Sequence, residues 1–139
     1  MCKQNMGSRL IMLRLPSNPR NIAMVESFVE RVVQRYKLTP DLYGNILISL
    51  TEAVNNAIIH GNHKDDSKTV EISLQKQKDG LSFRVTDEGR GFDFTSLPDP
   101  TSPDRVMEVG GRGVFLMHQL ADHLKYDNNG STVELHFNL

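Results

Sequence analysis

After residue 68 the hydrophobic period of this chain switches from 3.6 to 2, and that switch confines the fold more than any other feature. Val70, Ile72 and Leu74 alternate with Glu71, Ser73 and Gln75. Leu81, Phe83 and Val85 alternate with Ser82, Arg84 and Thr86, and near the end Val133, Leu135 and Phe137 alternate with Glu134, His136 and Asn138. Lys78-Asp79-Gly80 between the first two runs is a hairpin turn signal. Successive side chains of a strand point to opposite faces, so each run has one face for a core and one for water. That is the pattern of an antiparallel sheet covered by helices on one side only.

The covering helices come first in the chain. Leu10 to Leu15 is a short apolar run that ends at Pro16 and reads as a first strand at an edge. Asn18 then reads as a cap, with Pro19 at the first helical position. Ile22, Val25, Val29, Val32, Val33 and Tyr36 carry the helical repeat that follows, with Phe28 supporting it. Thr39 and Pro40 repeat the start signal for a second helix, expected to run to about His60. Its apolar side holds Leu47, Leu50, Ala53, Val54, Ala57 and Ile58. His63 to Ser67 is a polar connection. Val114, Met117, Leu120, Ala121 and Leu124 mark a third helix, which opens at a glycine-rich turn. Leu124-Lys125-Tyr126 is a short strand candidate, and Asn128-Asn129-Gly130 a turn. The expected architecture is α+β, a two-layer sandwich with three main helices on one face of a mostly antiparallel sheet.

A length of 139 residues fits one domain with one substantial core. We expect residues 1–8 to be a tail and 9–139 a single domain. A net charge of -1 argues against a nucleic-acid binder that works through phosphate contacts. The single cysteine, Cys2, allows no disulfide within one chain and fits a reducing compartment. No apolar run approaches the length of a membrane span, and the start has no signal-peptide core, so the expected location is the cytoplasm.

Three polar or glycine-rich stations interrupt this scaffold. Glu52 and Asn56 are four apart, one turn apart on a helix. Such a pair suits a hydrated hard cation, or a proton taken from a hydroxyl, and would serve equally as a solvated face. Asp87-Glu88-Gly89-Arg90-Gly91-Phe92 follows a strand, so its aspartate comes at a strand end, where a carboxylate can accept from an exocyclic amine. Its glycines let the backbone turn and a flat group approach closely. Gly110-Gly111-Arg112-Gly113 exposes backbone N–H groups at a helix start, where the dipole favours anions. There is no G-x-x-x-x-G-K-[ST] phosphate loop. Between the last two stations, residues 93–109 hold three prolines and no periodicity, and read as a lid. His60 and His63 with Glu52 are rejected as a metal site, because no H-E-x-x-H, cysteine partner or third histidine accompanies them.

Taken together, Glu52-x-x-x-Asn56, Asp87-x-Gly89-x-Gly91 and Gly111-x-Gly113 resemble the N, G1 and G2 boxes of the GHKL (Bergerat-type) superfamily of ATP-binding domains. More narrowly, the runs Thr51 to Asn62 and Gly110 to Met117 are similar to those of the anti-sigma-factor serine/threonine kinases of bacterial partner switching. The resemblance covers roughly residues 9 to 138. It implies ATP and Mg2+ as cofactors, with Asn56 on the metal and Glu52 as general base. It implies Asp87 and Gly91 at adenine, Thr132 at adenine through a water, and Gly89, Phe92 and Val114 in the nucleotide pocket. Asn55, Gly110, Gly111 and Gly113 would stand at the phosphates. Arg112 and Arg105 could neutralise the γ-phosphate, although some members carry an arginine just before Gly-x-Gly where this chain has Val109-Gly110. The implied activity is transfer to a Ser or Thr of an anti-anti-sigma (STAS-type) protein, with a sigma factor as second partner and a homodimer allowed. Two other readings stay open: an ATP-binding regulatory module without catalysis, and a detached histidine-kinase catalytic module. A phospho-accepting histidine within the chain is not expected, because no separate dimerisation helix pair carries one.

Overall fold

The computed structural model describes residues 10–89, 117 and 119–139. Five strands form one sheet: β1 (Leu10–Pro16), β2 (Thr69–Gln77), β3 (Gly80–Thr86), β4 (His123–Asp127) and β5 (Thr132–Asn138), in the order β1-β2-β3-β5-β4. Every neighbouring pair is antiparallel. The β2–β3 register pairs Leu74 with Phe83 and Ile72 with Val85, and β3–β5 pairs Phe83 with Leu135, so the apolar halves of the alternation share one face. A one-residue slip would turn all of them to water, and this fixes the register. Phe83 and Phe137 meet edge to face at 5.9 Å in the middle of that face.

Two main helices cover it among the described residues, α1 (Ile22–Tyr36) and α2 (Pro40–Asn56). Val25, Phe28, Val29 and Val32 of α1 and Ile46, Leu50, Ala53 and Val54 of α2 join the strand residues in one buried core. The start signals act as expected for α2, where Thr39 accepts from Leu42 N at 3.2 Å. For α1 they act one step earlier. Asn18 caps a 3-10 turn, Pro19–Asn21, accepting from Arg20 N at 3.0 Å, and the α-helix begins only at Ile22.

Two expectations need correction. The second helix does not continue as α to His60; its last turn, Ala57–Gly61, is π-helical, and Asn62 N donates to Ala57 O at 2.8 Å. The third helix does not reach Leu124. Residues 117, 119 and 120 are helical, but Leu124 lies in β4, opposite Leu135. A helical stripe and a two-residue alternation overlap in Leu120 to Tyr126, and pairing with β5 decides for strand. The rest of that helix, and the lid expected at 93–109, lie outside the described residues. Among the described residues no helix is long and apolar enough to cross a membrane.

Candidate functional site

The second station meets the turn that follows α2, the helix that bears the first. Glu52, Asn55 and Asn56 are half-buried on the last turns of α2, while Ala53, Val54, Ala57 and Ile58 point into the core. The amphipathic pattern thus holds the polar side chains at the rim of the helix layer. Asn56 is the last α-helical residue, and the π turn begins at the next one. π turns place one more residue in a turn than the α path does, and they recur at functional sites.

That turn delivers Gly61 against Asp87. A Cβ on Gly61 would overlap the Asp87 carboxylate, and a Cβ on Gly89 would overlap the Gly61 carbonyl oxygen. Neither glycine has a positive φ; the only such glycine among the described residues is Gly130. The reason for glycine at both positions is therefore close approach, not a special turn. For Gly89 the close approach is to the backbone of Gly61.

Asp87 follows β3 directly, and its N–H donates to Ser131 O at 2.9 Å, so the strand pairing carries on one step past Thr86. Its Oδ1 accepts from Gly89 N at 2.7 Å. No described residue donates to Oδ2. Burial pushes the carboxyl above its usual value, against the smaller opposing effects of the Gly89 bond and the Lys68 charge. A carboxylate with one oxygen committed and one uncommitted, partly withdrawn from water, can accept a hydrogen bond from an amine brought to it.

Thr132 reaches the same end of the sheet, paired with Thr86. It is buried, and its hydroxyl meets Thr86 Oγ1 at 3.1 Å and accepts from Asn128 Nδ2 at 3.0 Å. Thr86 and Thr132 alternate with the core residues Val85 and Val133, so this hydroxyl pair belongs to the sheet face away from the helices. Gly91, Phe92, Arg105, Gly110, Gly111, Arg112, Gly113 and Val114 lie outside the described residues, and the whole third station with them.

The sequence reading passed over Asn62, which the structure puts at the centre of this end of the molecule. It is completely buried. Its Nδ2 donates to Ser17 Oγ at 2.7 Å and to Thr69 O at 3.0 Å, and its Oδ1 accepts from Glu88 N at 2.7 Å. Glu88 in turn accepts from Thr69 N and Oγ1 through its carboxylate. The loop after β3 is thus held to the ends of β1 and β2 and to the turn after α2. The one available signal was an asparagine next to the helix-ending Gly61, in a position where a solvated turn residue is the ordinary expectation.

Comparison with known proteins places this geometry. The family model described as the histidine kinase-like ATPase domain matches residues 15–137. The chain is similar to the serine-protein kinase RsbW of Bacillus subtilis (strain 168), 29% identical over 133 residues that cover 90% of this chain and 82% of that protein. It is also similar to the serine-protein kinase RsbW of Listeria monocytogenes serotype 4a, 27% identical over 131 residues, 88% of this chain and 83% of the other. Among solved structures, the RsbU and RsbW domains of a Mycobacterium tuberculosis protein align with a TM-score of 0.66 at 15% identity. That alignment covers 94% of this chain and 32% of the other, and it shows likeness of fold.

Proposed function

The chain belongs to the histidine kinase-like ATPase domain family, and from that premise we propose that it is an ATP- and Mg2+-dependent serine/threonine protein kinase. Its substrate would be an anti-anti-sigma antagonist of the STAS type, and it would also bind a sigma factor and so restrain it. The observation that carries the nucleotide half of this reading is Asp87, a partly buried carboxylate whose Oδ2 takes no donor among the described residues, pressed on Gly61 just past the helix that bears Glu52 and Asn56. The similar proteins named serine-protein kinase support the choice of a serine acceptor.

The residues fit the cofactors in kind. Asp87 would accept from the exocyclic amine of adenine, whereas Thr132, turned to the sheet face away from the helices, stands outside that pocket. Gly89, Gly91, Phe92 and Val114 would complete the pocket. Asn56 would take Mg2+, a cation that keeps most of its waters and needs few protein ligands. When bound, the metal would neutralise phosphate charge. Asn55, Gly110, Gly111 and Gly113 would hold the phosphates, with Arg112 on the γ-phosphate. Glu52 would accept the proton of the substrate hydroxyl. We place the work in the cytoplasm, in one domain spanning 9–139 with a lid over 93–109, and allow a homodimer.

The test is transfer of radiolabel from ATP to a purified STAS-type antagonist protein. Acid-stable label on Ser or Thr is the expected result. Acid-labile label would point instead to a histidine-kinase module, and nucleotide binding without transfer to a regulatory module.

A further inference from the structure

We infer that Asn62 is a positioning residue that locks the end of α2 to the Asp87 loop, so that the metal-side and adenine-side residues keep one spacing. The inference rests on the nucleotide reading above and adds to it a residue that touches no ligand. The geometry carries it in three steps.

First, the carboxamide orientation is dictated by its partners. Thr69 O can only accept and Glu88 N can only donate, so Nδ2 faces β2 and Oδ1 faces the Asp87 loop. Both amide hydrogens are used, one on Ser17 and one on Thr69. No other side chain of this size offers two donors and one acceptor in that arrangement; an aspartate would set an oxygen against the Thr69 carbonyl.

Second, each partner belongs to a different segment. Ser17 follows β1 and is itself bound to Lys68 O through both N and Oγ, at 3.0 and 2.8 Å. Thr69 opens β2, and Glu88 follows β3. Asn62 itself closes the π turn through Ala57 O, and Lys64 N adds a bond to Ile58 O at 2.7 Å. One side chain therefore ties the helix layer to three strand ends.

Third, the contact it governs is adjacent. Glu88 is flanked by Asp87 and Gly89, and Asn62 by Gly61, the residues that approach without room for a Cβ. Fixing Glu88 N on Asn62 fixes the height of the Asp87 carboxylate above Gly61. Glu88 has a second tie through its own carboxylate, but that one is exposed and reaches only β2. Among the described residues, only the Asn62 bond spans from the loop to the end of α2.

The experiment compares Asn62→Ala, Asn62→Asp and Ser17→Ala with the unaltered chain on three readouts: melting temperature, amide exchange at Glu88 by NMR, and ATP and ADP affinity by calorimetry. In Asn62→Ala, Glu88 exchange should speed at least about tenfold, as expected for a buried hydrogen bond opened locally. ATP and ADP affinity should fall together by a similar factor, because the adenine side is disturbed and not the γ-phosphate. Ser17→Ala should melt lower yet keep Glu88 protection and nucleotide affinity. Asn62→Asp keeps an oxygen toward Glu88 but turns the other on the Thr69 carbonyl, so it should melt below Asn62→Ala while keeping more of the Glu88 protection and of the affinity. Affinity that follows melting temperature across the set, rather than Glu88 protection, would overturn the inference. So would an unchanged Glu88 amide in Asn62→Ala. Failure of the unaltered chain to bind either nucleotide would count against the nucleotide reading, while the Glu88 exchange would still report on the lock itself.

Discussion

The carboxylates on the open face of the sheet and the one at its helix-covered end are treated differently. On the open face Glu71 meets Arg14 at 2.7 Å, Glu134 meets Arg84 at 3.0 Å, and Asp127 meets the same arginine at 3.5 Å. These side chains are partly in water, where an ion pair contributes about 0–1 kcal/mol. Asp87 is half-buried as they are, but no arginine stands against it among the described residues, and burial outweighs the Gly89 bond and the Lys68 charge. The open-face acids are neutralised in place and serve the sheet. Asp87 carries its charge at a cost to the fold, and a group kept at such a cost is a candidate for function.

The sign of that cost is fixed by the direction of the shift. Burial raises the Asp87 carboxyl above its unfolded value, so the folded chain holds this proton more tightly. Its contribution to stability then declines as pH rises from the ordinary carboxylate range through the raised value, and the cost is complete above it.

Four substitutions test this contrast. The largest effect is expected from Glu52→Gln, the carboxylate of α2 proposed as base: transfer to the antagonist should fall by roughly 10²–10⁴-fold, with ATP affinity little changed, as single-turnover assays beside calorimetry would read. Comparable turnover would remove Glu52 from that role. Next comes Asp87→Asn, where losing a hydrogen bond to a charged acceptor should weaken ATP by about 1.5–3 kcal/mol. Its melting temperature at neutral pH should hold or rise; a marked fall would mean that Asp87 serves the fold as the open-face acids do. Gly61→Ala would push a methyl into the Asp87 carboxylate. We expect about 1–3 kcal/mol of lost stability, the usual cost of overpacking, in denaturant titrations, together with weaker ATP binding. The smallest effect belongs to Arg84→Ala, which should cost at most about 1 kcal/mol and leave nucleotide affinity alone. A larger loss would show the open-face network to be more than a surface feature.

Much of this contrast is legible in the sequence. Alternation in Val70 to Leu74, Leu81 to Val85 and Val133 to Phe137 places Glu71, Arg84 and Glu134 on the open face, because strand period assigns faces directly. Thr39-Pro40 and the Leu50, Ala53, Val54 stripe placed Glu52 and Asn56 at the rim of a helix. Asp87 was legible as a strand-end carboxylate. The π turn was not, since Ala57 and Ile58 suit an α path equally well and only the Asn62–Ala57 bond distinguishes them. The role of Asn62 was hidden for a related reason: its partners are 45, 7 and 26 residues away in sequence, and no local pattern marks a long-range hydrogen bond. The strand order, with β5 inserted between β3 and β4, was likewise a matter of tertiary pairing that local period does not encode.

In the proposed site Asp87 accepts a hydrogen bond from the exocyclic amine of a bound base. Adenine carries an amine at the ring position where guanine carries an oxygen. The most direct measurement is calorimetric titration of the purified chain, with Mg2+ present, by ATP and separately by GTP. ATP bound at least about tenfold more tightly than GTP is the expected result, since a base that turns an oxygen to the carboxylate leaves a buried group unpaired. Equal affinity for the two nucleotides, or binding of neither, would contradict the assignment of Asp87.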